Sequence, residues 1–224
     1  MLNFKVDLEL CIGCGQCASD CPAMIIDMEN NLPIIPNDLE SFCISCMHCV
    51  AICSEGALGI GGYGPEEGLA IKKEAMPDPD AMEMLIRARR SIRNFQDKNL
   101  DRKLIDRMVD VAWQAPSGHN DRTILYTLID DKGVLHDLRQ EVVEGIDKLV
   151  EQDRLPEGLE MFGDIVNFWK LEGRDILFRG APHLIIASAD IEAAAPLHDC
   201  IIGLTTFELF ATSCGVGTIW NGLA

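Results

Sequence analysis

Basic residues are scarce in this chain. Nineteen lysines and arginines stand against 36 aspartates and glutamates, for a formal charge of −17. A phosphate backbone needs a clustered basic surface, so nucleic acid is excluded as a partner. Long apolar runs are lacking as well: the longest uncharged stretch, Leu209–Ala224, has 16 residues and three glycines. That is too short and too broken for a membrane span. An apolar leader is also missing, because Met1–Leu10 carries Lys5, Asp7 and Glu9 where such a core would lie. These absences predict a cytoplasmic chain with no membrane partner. What is there is ordinary for a globular protein, 48% hydrophobic and 25% charged. Its 224 residues suffice for one or two domains with a real core.

Cysteine is plentiful, with ten in all, and in a reducing compartment that implies metal or catalysis sooner than disulfides. Eight of them obey a rule. Cys11-x2-Cys14-x2-Cys17-x3-Cys21-Pro22 is repeated as Cys43-x2-Cys46-x2-Cys49-x3-Cys53, an internal duplication that carries its neighbours with it: Cys11-Ile12-Gly13-Cys14 against Cys43-Ile44-Ser45-Cys46. Three thiolates within seven residues wrap one cubane, and the fourth points to the neighbouring cluster. The pattern therefore predicts a bacterial-type ferredoxin segment with two [4Fe–4S] clusters. Cys11, Cys14, Cys17 and Cys53 would hold one, and Cys43, Cys46, Cys49 and Cys21 the other. Structural zinc favours two CxxC pairs or Cys/His pairs and has no need of interleaved quartets. Ser54 follows Cys53 where the first repeat has proline, which alters a turn and removes no ligand. Cys200 and Cys214 lie on an apolar stretch and read as buried structural thiols.

Residues 55–80 are rich in Gly and Pro, which marks a boundary. Gly59-Ile60-Gly61-Gly62-Tyr63-Gly64 matches G-x-G-x-x-G, but Pro65 and a charged pair follow where a dinucleotide site needs an apolar helix. The expected organisation is a two-cluster domain over residues 1–62, a linker over 63–80, and a second domain over 81–224. In that second domain Leu100, Leu104, Met108 and Val111 share a helical face, as do Leu135, Leu138, Val142, Ile146 and Leu149. Residues 123–129 and 183–189 read as strands, and Cys200, Leu204, Phe207, Ala211 and Cys214 mark a mostly apolar helix for a core or an interface. Strands separated by helical stretches predict an α+β sandwich.

Four motifs in this second domain carry a resemblance. Arg89-Arg90-Ser91-Ile92-Arg93-Asn94-Phe95 resembles the opening motif of the FMN-dependent nitroreductase family, and Ala115-Pro116-Ser117-Gly118-His119-Asn120 its second flavin motif. Arg179-Gly180-Ala181-Pro182 before a strand, and Gly215 to Gly222 after the apolar helix, follow in the same order. The chain is similar to ferredoxin–nitroreductase fusions. That resemblance implies an FMN phosphate and ribityl chain surrounded by Arg89, Arg90, Ser91 and Arg93, whose forks and hydroxyl suit an anion. It adds Pro116 and Ser117, and puts the Asn120 amide on the flavin, although a turn role after Pro-Ser-Gly is equally open to Asn120. It runs Thr218, Trp220, Asn221 and Gly222 past the ring edge, with a core role open to Trp220. His119 reads as a surface turn, and no catalytic residue is identified. Family members generally continue with another sheet element and a basic site, so the expectation is either that part of the C-terminal sandwich is missing or that the pocket is completed differently.

Joined, the parts imply an FMN-dependent oxidoreductase in which two clusters exchange electrons with FMN for reduction of a small electron-poor acceptor, a nitro compound or a quinone. The other reading is an electron-transfer module that relays electrons between protein partners. NAD(P)H or a redox protein is the expected donor, and a homodimer the expected assembly. The acidity fits either plain solubility or steering toward a basic redox partner.

Overall fold

A computed structural model describes residues 2–223, and they divide into two compact units. The first contains residues up to Pro77 together with His119–Asp121, and the second contains Asp78–Gly118 and the remainder from Arg122 onward. No described helix is long and apolar enough to cross a membrane.

The first unit is built on its duplication. Two antiparallel pairs frame it: β1 (Lys5–Val6) with β4 (Leu58–Gly59), and β2 (Asp27–Glu29) with β3 (Leu32–Ile34). Between them lie two one-turn helices, α1 (Gln16–Ser19) and α2 (His48–Ala51), which pack together. Each follows a left-handed residue, Gly15 at φ 72° and Met47 at φ 61°; two residues earlier the chain is left-handed again, at Gly13 and Ser45. The repeat in sequence is thus a repeat in backbone. The first copy uses glycine at both positions, while the second accepts the cost of a Cβ in this conformation, about 1–2 kcal/mol per residue. Cys17 and Cys49, equivalent in the repeat, are buried with Ile25, Ile26, Leu58 and Ile60. Gly59–Gly64 closes as a tight turn with an Ile60–Tyr63 bridge and a 3-10 turn at Pro65–Glu67 after it, so it opens no helix onto which a dinucleotide phosphate could bind.

The second unit is α+β, as its alternating pattern predicts. Its helices are α3 (Pro79–Ala88), α4 (Arg102–Ala112), α5 (Lys132–Glu151), α6 (Met161–Glu172) and α7 (Pro196–Ser213). Strands β5 (Leu125–Ile129) and β6 (Leu184–Ser188) pair antiparallel, from Leu125 opposite Ser188 to Ile129 opposite Leu184. Capping sets two helix starts: Asp101 accepts from the Lys103 amide at 2.8 Å, and Asp131 from the Gly133 and Val134 amides at 2.8 and 3.1 Å. Those bonds hold the Asp131 carboxyl below its usual range. One core joins α4 and α7 through Ile105, Met108, Ala112, Phe207 and Ala211. Another holds Leu135, Val143, Ile165, Val166, Leu177 and Phe178. Gly203 lets α7 approach β5 closely, since a Cβ there would collide with the Tyr126 hydroxyl.

Three sequence expectations shift. The buried face of α4 centres on Ile105, Met108 and Ala112, with Leu104 and Val111 half-buried at its edge, a small rotation of the predicted stripe. The line through α5 runs Leu135, Arg139, Val143. Arg139 is admitted there because its Nε meets Asp175 Oδ2 at 2.8 Å and its Nη2 donates to the Ala181 carbonyl at 2.9 Å. Cys200 and Cys214 are half-buried instead of fully buried: Cys200 lies in the second turn of α7, and Cys214 caps the helix end.

His183, just before β6, accepts a bond from the Leu100 amide on Nε2 at 3.4 Å, which requires the neutral ring. Burial holds its imidazole below the ordinary 6.5, against the opposing pull of Asp130 and Asp131. The unfolded chain then binds the proton first, so His183 opposes folding as pH falls through 6.5 toward the lower folded value. The urea midpoint should therefore drop between pH 7.5 and 5.5 less steeply in His183→Gln, which keeps an acceptor without the titration, than in the wild type. Equal slopes would remove His183 from the pH response.

Candidate functional site

The eight thiols of the first unit sort into two cavities. Cys11, Cys14, Cys17 and Cys53 line one, together with Gly13 and Pro33. Cys21, Cys43, Cys46 and Cys49 line the other, with Pro22 and Ile60. Each set takes three thiols from one repeat and its fourth from the other. The cross-over follows from the short helices. Cys17 lies within α1, whereas Cys21 comes after its cap at Asp20, beyond the helix.

Electrostatics report the same grouping. Burial pushes the Cys49 thiol up to about 11, and neighbouring Cys46, Cys43 and Cys21 add to the shift. Cys17 is raised by burial first, and then by Cys14 and Cys53. Thiols crowded this way do not ionise readily unless a cationic core takes the place of the protons. Among the described residues no three His, Cys, Asp or Glu side chains close on a single ion. A cubane asks for one thiolate per iron, which a four-thiol cavity supplies. Two sulfurs also accept backbone bonds, Cys43 from the Ser45 amide at 3.4 Å and Cys53 from the Ala57 amide at 3.3 Å, of the kind that tunes cluster potentials.

In the second unit the structure joins the first and last flavin-like motifs. The Ile92 amide donates to the Thr218 carbonyl at 2.9 Å. Gly217 allows this pairing, because a Cβ there would lie 2.6 Å from Ile92 Cγ1. Arg89 Nη1 and Thr218 Oγ1 donate to Glu208 Oε1 at 3.2 and 3.3 Å, and Trp220 Nε1 donates to Oε2 at 3.1 Å. Arg89, Thr218 and Trp220 therefore meet on one carboxylate. Arg90 and Arg93 are exposed nearby in sequence: Arg90 donates to the Arg87 and Arg89 carbonyls, and Arg93 donates to the Ser91 carbonyl at 3.4 Å. Three guanidiniums and a serine within five residues, in a chain of net charge −17, form a donor set suited to a phosphate.

Other candidate residues are engaged elsewhere. Asn221 donates to the Leu177 carbonyl and accepts from the Leu223 amide; Gly222 beside it is exposed. Ser117 Oγ accepts from the Arg122 amide at 3.0 Å, next to exposed Pro116. Asn120 sorts with the first unit, where its Nδ2 donates to the Ile44 and Ser45 carbonyls at 3.1 Å each. The donor end of that amide is committed, and Oδ1 is what it has to offer a ligand. His119 is exposed at φ 49°, a surface turn as expected.

Two buried carboxylates escaped the sequence reading, both on α7. Glu208 is one. Asp199 is the other: it is 1% exposed, its Oδ1 accepts from the Gly118 amide at 3.0 Å, and its Oδ2 is buried without a hydrogen-bond partner among the described residues. A signal existed, since a charge inside a mostly apolar buried helix needs a partner. What the sequence did not say was which partner.

The same two units emerge from comparison with known proteins. Residues 10–58 match a 4Fe–4S dicluster domain, and residues 86–224 match the Nitroreductase family model. A Methanothermobacter thermautotrophicus protein whose name carries NADH dehydrogenase and NAD(P)H nitroreductase is 25% identical over 142 residues, covering 62% of this chain; the chain spans 59% of that relative's length. One component of the heterodisulfide,ferredoxin reductase of Methanothermobacter marburgensis is 31% identical over 80 residues, 25% of this chain and 12% of that component. The nitroreductase with bound FMN from Bacteroides fragilis superposes with a TM-score of 0.52 at 21% identity, over 62% of this chain and 68% of that one, a likeness of fold. With well over half its length matched by one family, and a dicluster domain ahead of that match, this chain belongs to the nitroreductase family as a ferredoxin–nitroreductase fusion.

Proposed function

We infer that the chain is an oxidoreductase in which two [4Fe–4S] clusters and a bound FMN reduce a small electron-poor acceptor, a nitro compound or a quinone. The observation that carries this reading is the pair of four-thiol cavities in the same chain as a nitroreductase-family unit. Cys11, Cys14, Cys17 and Cys53 would hold one cluster and Cys21, Cys43, Cys46 and Cys49 the other. Bound FMN takes up electrons singly or in pairs, which matches one-electron clusters to two-electron organic reductions. Arg89, Arg90, Ser91 and Arg93 would hold the phosphate as anion donors, and the segment from Thr218 to Gly222 would supply backbone donors to the flavin. Covalent linkage keeps donor and acceptor at high effective concentration. The donor is NAD(P)H, as the name of the Methanothermobacter thermautotrophicus relative suggests, or a redox protein. A homodimer belongs to the same reading, supported by Leu197, Ile201 and Ile202 exposed on α7.

Anaerobically purified chain, titrated with FMN and then given NADH or a reduced ferredoxin, should bleach at flavin and cluster wavelengths and recover when a nitroaromatic or quinone is added. It should sediment as a dimer. FMN that binds but never exchanges electrons with the clusters would sink the reading; a monomer that retains FMN would remove the dimer from it. The likeness to a component of a heterodisulfide,ferredoxin reductase favours a second reading, a relay between protein partners. Reduction of an added redox protein without turnover of any small acceptor would select it.

A further inference from the structure

Glu208 is 7% exposed, and every group its carboxylate meets is a donor: Arg89 Nη1 and Thr218 Oγ1 on Oε1, and Trp220 Nε1 on Oε2. Three donors converging on one point require a group that only accepts. A glutamine there would turn its amide N–H toward at least one of them. The Arg89 side chain is about one-third exposed, at 35%, and only one of its guanidinium nitrogens is taken by Glu208. Its planar fork of five N–H groups is thereby fixed in direction while most of its donors remain available. Side-chain freedom lost before a ligand arrives is not lost again on binding, which is how preorganisation raises affinity.

We propose that Glu208 is the positioning residue of the flavin site, holding Arg89 so that the site prefers a phosphorylated flavin to an unphosphorylated one. The proposal rests on the flavin reading above and assigns a role to a residue outside the four flavin-like motifs. Two effects of Glu208 oppose each other. Its negative charge repels a phosphate, but that charge is paired with the Arg89 guanidinium at 3.2 Å, and the net repulsion left beyond the pair amounts to about threefold in affinity. A misdirected charge-assisted hydrogen bond costs roughly ten- to a hundredfold. Positioning therefore wins, and neutralising Glu208 weakens FMN binding instead of strengthening it.

The test uses the full chain, stripped of flavin and titrated anaerobically with FMN and with riboflavin. Glu208→Gln should weaken FMN about tenfold or more and riboflavin by less than about threefold. In an Arg89→Ala background the same change should leave the FMN-to-riboflavin ratio within about twofold, because the two residues act as one unit. A loosened fold would weaken both flavins alike, and that result overturns the proposal; so does an unchanged or increased preference for FMN. If Glu208→Gln does not fold, Arg89→Lys carries the test, since an ammonium keeps the charge without the fork. Its FMN preference should fall, and an undiminished preference overturns the proposal. Wild type that prefers FMN while the variants keep that preference removes Glu208's role alone. Wild type that takes up neither flavin removes the flavin reading, and this proposal with it.

Discussion

Cys21→Ala should lose the cluster held by Cys43, Cys46 and Cys49, and keep the one held by Cys11, Cys14 and Cys17. Sequence proximity argues the reverse, since Cys21 is only four positions from Cys17. The structure nevertheless lines Cys21 with the second trio, and the Cys49 thiol senses Cys21 as a neighbour. Iron should fall from about eight atoms per chain to about four, one cubane's worth. Double variants locate the loss. Cys21→Ala with Cys46→Ala should retain about four iron atoms, because both residues serve one cluster. Cys21→Ala with Cys14→Ala should retain almost none. The opposite pattern would uncross the ligands, and zinc in place of iron, without a visible band that bleaches on reduction, would end the cluster assignment altogether.

Arg93→Ala should weaken FMN binding by about one to two orders of magnitude, the equivalent of roughly 1.5–3 kcal/mol for one charged hydrogen bond. Arg93 is the cleanest of the three arginines to remove. It is exposed, with no ion pair among the described residues and a single long contact to the Ser91 carbonyl, so its loss disturbs little of the folded chain. Arg89→Ala would act on binding too, but it also strips a partner from buried Glu208. Iron content should not change in Arg93→Ala, because all eight thiols lie in the first unit. His136→Ala, exposed on α5, serves as the control and should bind FMN like the wild type. Titration of flavin-stripped protein measures all three, and wild-type affinity in Arg93→Ala would mean the phosphate pocket is misplaced.

Much of this was legible from the residues, for reasons that differ by feature. Cluster chemistry fixes its own spacing, so the quartets and their duplication could be read at once. Helices α4, α5 and α7 and strands β5 and β6 announced themselves through periodicity, which reports how a local segment meets a core. The pattern did not reveal that left-handed backbone would be kept in the second repeat by Ser45 and Met47, where only the glycines of the first repeat gave a hint.

The sequence by itself determined the duplicated cysteine quartets, the change of pattern after them and the basic motif, because each is written in short-range spacing. Only the tertiary structure decided which buried charge meets which partner. Arg89 and Glu208 are 119 positions apart, and Arg139 finds Asp175 across a helix and a loop. A carboxylate in an apolar helix shows in the sequence that it needs a donor. Which donor it receives depends on how distant segments pack, and here the close approach of Gly217 to Ile92 brings Thr218 and Arg89 to the same carboxylate.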